Sequence, residues 1–276
     1  MAKLTSTHIS FQELQDIVEL VGKVSGFNLM GYSKSSLKRR IQRVMDIEQM
    51  DVVDLKNAII NVEGFHTYLM NEITVNVTEM FRDPLYYNAL RSNVFPYLET
   101  FPRLKLWSAG CSTGEEVYSL AIMLTEAGLY NRSFIYGTDV NSIVLEVAKK
   151  AIYPLKNIKL YTANYNATGA FNSLSDYYTA MYDAAIIRTD IRKNILFSQH
   201  NLATDYVFNE FQFISCRNVL IYFDLELQNR IFHLFYESLS KFGFLCLGTK
   251  ETLFHHEIMS KFKVINKKFN IYQKII

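Results

Sequence analysis

Apolar and polar positions alternate at helical spacing through the first part of the chain. A capping-box pattern at Ser10 and Glu13 precedes apolar residues three or four positions apart, which is typical of an amphipathic helix. The next stretch, SKSSLKRRIQRVM, places its apolar residues on one stripe and its arginines on the remaining surface. Residues 51–60 and 64–73 follow the same spacing. The pattern therefore predicts a helical region of about 80 residues without strands.

From residue 104 onward the pattern changes to short buried runs that alternate with helical segments. LKLWSAG and FIYGTDV read as strands, and GEEVYSLAIMLTEAG and NSIVLEVAKKAIY read as helices. This succession predicts a doubly wound parallel sheet. A stretch rich in tyrosine and asparagine, residues 155–193, interrupts it before further strands and a helix follow. The last two apolar runs, within residues 262–275, leave no room for a helix between them and predict an antiparallel hairpin at the sheet edge.

Composition adds limits to this picture. The chain has 276 residues, 49% of them hydrophobic, with 11 glycines and 4 prolines, which suffices for one large core or two unequal ones. No apolar run reaches the roughly 20 residues that span a bilayer, and no secretory pattern is present, so we expect a soluble, cytoplasmic protein without membrane insertion. The cysteines and histidines show no disulfide or metal-ligand spacing, so no metal site is predicted. A net charge of +2 leaves only local patches for electrostatic attraction.

The turn after the first predicted strand carries the most informative chemistry. Gly110 and Gly114 let the backbone approach a ligand at the carboxyl end of the sheet, where doubly wound folds bind their ligands. Glu115 and Glu116 stand in the first helical turn and would repel a pyrophosphate, so a nicotinamide cofactor is the least expected ligand. The carboxylates suit a ligand with positive charge or hydrogen-bond donors, such as S-adenosylmethionine. Asp139, at the end of the second strand, stands where an acid often binds ribose hydroxyls.

Three separated segments resemble one protein family in the same order. NVTEMFRD at 76–83, WSAGCSTGEEVYSLAIML at 107–124 and CRNVLIYFD at 216–224 are similar to motifs of the CheR family, the methyltransferases of chemotaxis receptors. The resemblance covers nearly the whole chain. Three motifs in register are a far more specific signal than a single glycine loop.

The resemblance implies an α/β fold with two domains. A helical N-terminal domain with its linker, residues 1–84, would precede a doubly wound, Rossmann-like class I methyltransferase domain, residues 85–276. Residues 155–193 would form a small antiparallel β insertion in the second domain.

The resemblance also implies which residues bind S-adenosylmethionine and which act on the substrate. Arg82 and Tyr222 match the catalytic positions. The implied cofactor-binding positions are Asn76, Thr78, Arg82, Gly110, Glu116, Asp139, Asn201, Leu202, Arg217 and Asn218. The positions that the family uses against an acidic receptor surface are Arg39, Arg40 and Arg43 on the basic helix.

The family's activity is specific. CheR proteins esterify glutamate side chains in the cytoplasmic helices of chemoreceptors, which tunes chemotactic adaptation, and they release S-adenosylhomocysteine. In some members the small β insertion captures a C-terminal receptor peptide as an added strand; here that use and simple shielding of the cofactor stay open. The chain departs from the family pattern at Gln212, where many relatives carry aspartate, and at Met80, where a second phenylalanine is usual. Neither change removes a charge that the chemistry needs.

Other interpretations stand beside this one. A non-catalytic module could hold S-adenosylmethionine or S-adenosylhomocysteine as a signal, but it would not need Arg82 and Tyr222 at the reacting centre. The basic helix also fits a nucleic-acid methyltransferase, although the patch is short and no N-P-P-Y-like motif is present, so no nucleic-acid partner is expected. Taken singly, Arg82 reads as half of a surface ion pair, Tyr222 as a core aromatic and Asp139 as an ordinary strand-end cap.

Overall fold

The computed structural model describes residues 8–26, 29–74, 76–253 and 256–275. These residues form two compact units. The first unit contains the described residues that precede Asn76 together with Tyr222–Arg230. The second unit contains Asn76–Ile221 and the described residues from Ile231 onward.

Helices build the described part of the first unit, as the apolar spacing predicts. They are α1 (Phe11–Ser25), α2 (Lys34–Glu48), α3 (Val52–Asn61) and α4 (Phe65–Ile73). Ser10 caps α1 through a capping box with Glu13, and Asp51 caps α3 by accepting the backbone N–H groups of Val53 and Asp54. The apolar faces of the four helices share one buried core.

A short antiparallel crossing lies within the first unit. The N–H of Ser33 donates to the carbonyl of Tyr222 (2.8 Å), and the N–H of Asp224 donates to the carbonyl of Gly31 (2.8 Å). Gly31 has a φ of +82°, and a β-carbon there would lie 2.8 Å from the side chain of Leu227, so the position requires glycine. The residue that precedes α2 is thereby hydrogen-bonded to Tyr222.

Two sheets with surrounding helices form the second unit. The strands in chain order are β1 (Leu104–Ala109), β2 (Ser133–Asp139), β3 (Ile152–Pro154), β4 (Tyr178–Met181), β5 (Ala184–Ile187), β6 (Ile195–Gln199), β7 (Phe211–Cys216), β8 (Leu239–Leu247), β9 (Phe262–Asn266) and β10 (Ile271–Lys274). The helices after α4 are α5 (Pro84–Asn93), α6 (Phe95–Leu98), α7 (Glu115–Glu126), α8 (Ser142–Lys150), α9 (Leu155–Ala167), α10 (Thr189–Arg192), α11 (Leu225–Ser238) and α12 (His256–Met259). Among the described helices, none combines the length and the apolar character that crossing a bilayer requires.

The large sheet has the strand order β6-β2-β1-β7-β8-β10-β9. Its first five strands in this order run parallel, while β10 is antiparallel to both of its neighbours. Helix α7 connects β1 to β2, and α11 connects β7 to β8. The connection from β2 to β6 begins with α8 and also contains the strands of the small sheet. This is a doubly wound, Rossmann-like arrangement, as predicted. The predicted terminal hairpin is confirmed, and β9 forms the outer edge.

Parallel pairing brings the carboxyl ends of four neighbouring strands to the same side of this sheet. Gly110 follows β1, Asp139 ends β2, Asn201 lies just beyond β6, and Arg217 follows β7. Because β6, β2, β1 and β7 are neighbours in that order, these positions form one row. The sheet topology therefore determines where a ligand site can form.

The insertion predicted at residues 155–193 is present but differs in its bounds. Its antiparallel sheet, of order β3-β5-β4, begins at Ile152. Residues 155–167 form α9, which buries Tyr161 and Tyr165. Tyrosines replace aliphatic residues on the buried face of this helix, and the apolar pattern therefore did not predict it.

The two units divide the chain differently from the predicted domains 1–84 and 85–276. Residues 76–84 belong to the second unit, where Met80 and Phe81 lie in the core. Tyr222–Arg230 belongs to the first unit, in keeping with the hydrogen bonds of Tyr222 and Asp224 described above.

Candidate functional site

The loop between β1 and α7 is built from residues in a left-handed backbone conformation. Gly110, Ser112 and Gly114 have φ of +73°, +50° and +90°. A β-carbon on Gly110 would lie 2.5 Å from a methyl carbon of Val219, so the position requires glycine. The N–H of Gly110 donates to the carbonyl of Thr138 (2.8 Å), which holds the loop against β2. The loop therefore places two glycines and Ser112, all three in the left-handed conformation, at the carboxyl end of the sheet.

Asp139 ends β2 beside this loop. Its Oδ2 accepts the N–H of Ser112 (2.9 Å), and its Oδ1 accepts the N–H of Asn141 (3.0 Å). Burial raises the pKa of the Asp139 carboxyl, and the bonds from backbone N–H groups oppose the rise. A carboxylate accepts about four hydrogen bonds, so both oxygens retain acceptor capacity for ligand hydroxyls.

The two glutamates in the first turn of α7 have different surroundings. Glu115 is buried, accepts hydrogen bonds from Thr113 Oγ1 (2.6 Å) and Tyr161 Oη (3.3 Å), and has a pKa raised by burial. It connects α7 to the inserted helix α9. Glu116 instead accepts a hydrogen bond from Ser108 Oγ (3.2 Å) on β1. The pair seen in the sequence is therefore divided, and only Glu116 belongs to the candidate site.

Arg217 joins the three motif segments, and its side chain is only 2% exposed. Its Nη1 donates to Glu116 Oε2 (3.1 Å) in the second motif. Its Nη2 donates to Asp83 Oδ2 (2.7 Å) and to the carbonyl of Arg82 (3.2 Å) in the first motif. The guanidinium also lies 3.9 Å from the centre of the Tyr86 ring. The structure thus gives Arg217 a linking role within the protein, and the cofactor contact implied by the family stays a prediction.

The first motif adopts an uncommon backbone conformation. Phe81 and Asp83 have φ of +54° and +58° although neither is glycine. Phe81 is fully buried, and its N–H donates to Ser119 Oγ (2.9 Å). Arg82 lies between the two left-handed residues, is half-buried, and donates from Nη1 to the carbonyl of Val77 (3.3 Å). The remaining predicted residues of this segment, which are also half-buried, are Asn76 and Thr78.

The residues after β6 form a tight turn next to Asp139. The N–H of His200 donates to the carbonyl of Asp139 (3.1 Å). Asn201 donates its N–H to Asp205 Oδ2 (2.9 Å), and its Oδ1 accepts the backbone N–H two residues later (2.9 Å). Leu202 is buried. Both predicted residues therefore lie at the same sheet edge as Asp139, with the Asn201 side chain stabilising the turn.

A residue that the sequence interpretation missed contacts the third motif. Asn218 has a φ of +61°, and its N–H donates to the buried carboxylate of Glu251 (2.9 Å). The N–H groups of residues 219–221 donate to the same carboxylate. Glu251 follows β8 in the stretch GTKETL, and a charged residue soon after a buried strand is the only signal that the sequence offers for it.

Tyr222, the second predicted catalytic residue, lies in the first unit with the predicted receptor-binding arginines, whereas Arg82 lies in the second. The guanidinium carbon of Arg40 is 5.8 Å from the centre of the Tyr222 ring. Arg40 is half-buried, while Arg39 and Arg43 are exposed. The three arginines predicted to share one role therefore divide into two exposed cations and one that packs against Tyr222.

Comparisons with known proteins agree on one family. The family model described as "CheR methyltransferase, SAM binding domain" matches residues 76–269. The chain is 41% identical over 272 residues to Cher3 of Pseudomonas putida, named as a methyltransferase, with 98% of this chain and 100% of that protein covered. It is 32% identical over 240 residues to the chemotaxis protein methyltransferase of Listeria monocytogenes (83% and 85% covered). It is 28% identical over 263 residues to the chemotaxis protein methyltransferase of Borreliella burgdorferi (89% and 90% covered).

Proposed function

Because the chain belongs to the CheR family of S-adenosylmethionine-dependent methyltransferases, we propose that it forms glutamate methyl esters on the cytoplasmic region of chemoreceptors. The names of its relatives from Listeria and Borreliella support a substrate in chemotaxis. The structural observation that carries the proposal is the buried Arg217, whose contacts hold the three motif segments together at the ligand-binding edge of the sheet. Because these receptor regions are cytoplasmic, the proposal includes a cytoplasmic location for the protein.

The residues of the candidate site fit S-adenosylmethionine. The acceptor capacity left on Asp139 suits the ribose hydroxyls, and the carboxylate of Glu116 suits the ammonium group. The glycine at 110 lets the backbone approach the ligand. Asn201 and Leu202, at the same sheet edge as Asp139, are assigned to the adenine. Bound S-adenosylmethionine supplies an electrophilic methyl group, and S-adenosylhomocysteine is the product.

The protein has little acid–base work to do in this reaction. A substrate glutamate with an ordinary pKa of about 4.3 is ionised at neutral pH and needs no general base. The residues of the chain must therefore bind, orient and exclude water. We assign the orientation of the attacking carboxylate to Arg82 and packing beside the reacting methyl to Tyr222.

Methyl transfer to receptor fragments tests the proposed function directly. The assay uses labelled S-adenosylmethionine and cytoplasmic receptor fragments from the same organism. Glutamate esters are expected to release the label as methanol in mild alkali. Label that resists alkali would contradict esterification. Binding of S-adenosylhomocysteine without any transfer would instead support the non-catalytic signalling module.

Arg82→Ala is expected to lower kcat/KM for the receptor fragment about 10–100-fold, because the nucleophile is no longer held in line with the methyl group. The matched control is Arg132→Ala, since Arg132 is also half-buried and also donates to a backbone carbonyl, that of Glu99 (2.9 Å). The control is expected to keep the wild-type value. An unchanged kcat/KM in Arg82→Ala would remove this residue from the mechanism.

Two surfaces are proposed for contacts with the receptor. Exposed Arg39 and Arg43 suit an acidic helical surface. Strand β4 is an edge of the small sheet, to which a C-terminal receptor peptide can add as a further strand. An open groove of about 380 Å³ lies at this sheet, and its lining includes Thr179, Ile186 and Arg188.

The KM for receptor fragments separates the two surfaces. Charge reversal of Arg39 and Arg43 together is expected to raise KM at least about tenfold. At high salt the variant and the wild type are expected to differ less in KM, because salt already screens the attraction in the wild type. Removal of the receptor's C-terminal tail raises KM only if the edge of β4 binds it. If tail removal changes nothing and the isolated tail peptide does not bind in a titration, the insertion serves only to cover the cofactor.

A further inference from the structure

Glu251 has an unusual hydrogen-bonding environment for a carboxylate that belongs to none of the three motifs. It is 4% exposed. Oε2 accepts the N–H groups of Gly248 (2.6 Å) and Asn218 (2.9 Å). Oε1 accepts the N–H groups of residues 219, 220 and 221 at 2.8, 2.7 and 3.4 Å. One carboxylate thus satisfies four successive donors of the loop after β7, which is the loop that carries Arg217 and Asn218.

The turn that presents this carboxylate is itself held from a second strand. The N–H of Glu251 donates to the carbonyl of Gly248 (3.0 Å). Asn270, next to β10, donates from Nδ2 to the carbonyls of Gly248 (2.8 Å) and Glu251 (2.5 Å). A β-carbon on Gly248 would lie 2.6 Å from Glu251 Oε2 and 2.8 Å from the N of Asn218, so the loop and the turn are in close contact. The turn that carries the carboxylate is therefore held by contacts that do not involve the loop.

The bonded loop then determines the geometry of the candidate site. Arg217 directly precedes the four donors and reaches Glu116, to which we assign the cofactor's ammonium group. Val219 packs against Gly110 in the glycine loop, where even a β-carbon would be 2.5 Å from it. Ile221, the last donor, directly precedes Tyr222. A change in the backbone at 218–221 would therefore displace contacts to two residues of the second motif, Glu116 and Gly110.

We propose that Glu251 is a positioning residue for methyl transfer, which acts through the loop 217–221 by accepting its backbone N–H groups. The kinetic part of this inference rests on the proposed function. The binding part requires only that the protein binds S-adenosylhomocysteine. A purely structural role for the same residue predicts lower stability without a specific loss at the site, so the two roles are distinguishable.

The first test is Glu251→Gln with Glu126→Gln as its matched control. The glutamine side chain has the shape of the carboxylate, but its NH2 group replaces one of the two accepting oxygens. Because that oxygen accepts two or three backbone N–H groups, a donor would then face donors and the loop must rearrange. Glu126 is a partly buried carboxylate that also accepts from several donors, Arg91 and Tyr177 among them, at the far end of α7. Both variants are expected to unfold at lower temperature. Only Glu251→Gln, assayed well below its melting temperature, is expected to bind S-adenosylhomocysteine about tenfold more weakly and to lose about 100-fold in kcat.

A second variant keeps the test decisive if Glu251→Gln does not fold. Gly248→Ala retains the carboxylate but inserts a methyl group between it and the N–H of Asn218. It is expected to weaken S-adenosylhomocysteine binding and to lower kcat. As in Glu251→Gln, the fold-loss in kcat is expected to exceed the fold-loss in affinity about tenfold. Folded Glu251→Gln or Gly248→Ala with wild-type affinity and kcat would overturn the proposal. If the wild-type protein methylates no receptor, the proposed function fails, and the S-adenosylhomocysteine affinities alone then decide whether Glu251 positions the loop.

Discussion

Arg217→Met is expected to lower the free energy of unfolding by about 3 kcal/mol and to abolish measurable methyl transfer, because a buried ion pair that loses one partner leaves an unpaired charge behind. Arg217 Nη1 and Nη2 lie 3.1 Å from Glu116 and 2.7 Å from Asp83, and the two carboxylate side chains are 15% and 38% exposed. Asp83 can recruit water in the variant, so most of the cost falls on Glu116. Denaturant unfolding and the methyl-transfer assay measure the two effects separately.

Arg217→Lys separates charge from geometry. A lysine keeps the positive charge, but its single ammonium group cannot reproduce the two directed branches that reach Glu116 and Asp83. We expect most of the stability to be retained and kcat/KM to fall about 100-fold. Arg91→Lys is the matched control, since Arg91 also bridges a carboxylate, Glu126 (3.1 Å), and a backbone carbonyl, that of Thr168 (3.0 Å). Wild-type turnover in Arg217→Lys would show that charge alone suffices.

Asp139→Ala is expected to raise the dissociation constant of S-adenosylhomocysteine at least about 100-fold. Two hydrogen bonds between ribose hydroxyls and a charged carboxylate contribute about 1.5–3 kcal/mol each, and the substitution removes both. It also leaves the N–H of Ser112 without its acceptor, which loosens the glycine loop. Asp139→Asn keeps one oxygen acceptor, so its dissociation constant for S-adenosylhomocysteine is expected to lie between those of the wild type and Asp139→Ala. Isothermal titration calorimetry measures all three affinities.

The control for this series is Asp51→Ala in the first unit. Asp51 also accepts two backbone N–H groups, those of Val53 (2.8 Å) and Asp54 (2.9 Å), so the two substitutions remove similar backbone contacts. Loss of this helix cap is expected to cost about 1 kcal/mol of stability and to leave the affinity unchanged. If Asp139→Ala binds S-adenosylhomocysteine as tightly as Asp51→Ala does, the assignment of Asp139 to the ribose is wrong.

The parts of the fold that could be predicted from sequence are those whose burial is regular. The runs LKLWSAG and FIYGTDV correspond to β1 and β2, which are central parallel strands with little exposed surface. Such strands read as almost continuous apolar runs, and the helices between them keep a helical period. Helix α9 was missed because Tyr161 and Tyr165 fill its buried face, and tyrosine carries no clear apolar signal. The start of the insertion was placed late for a related reason, since β3 has only three residues.

The candidate site was predictable where backbone conformation requires particular residues at fixed spacing. Gly110 and Asp139 stand at the ends of two strands that the sequence predicts, and both lie at the carboxyl end of the sheet in the structure. The partners of Arg217 were not predictable, because Glu116 is 101 positions away and Asp83 is 134 positions away in the chain. A single sequence contains no signal for pairings at such distances. Glu251 was missed because its partners are backbone N–H groups, which look the same in every residue.

The left-handed, non-glycine residues of the three motifs also bear on protein engineering. Phe81, Asp83, Ser112 and Asn218 occupy a conformation that costs about 1–3 kcal/mol for a side chain of ordinary shape, and the surrounding contacts hold them there. Substitutions that relax the backbone at these positions would raise heat resistance while they move the groups assigned to the cofactor and the methyl acceptor. Selection for thermal tolerance and selection for turnover therefore act in opposite directions on the same four positions.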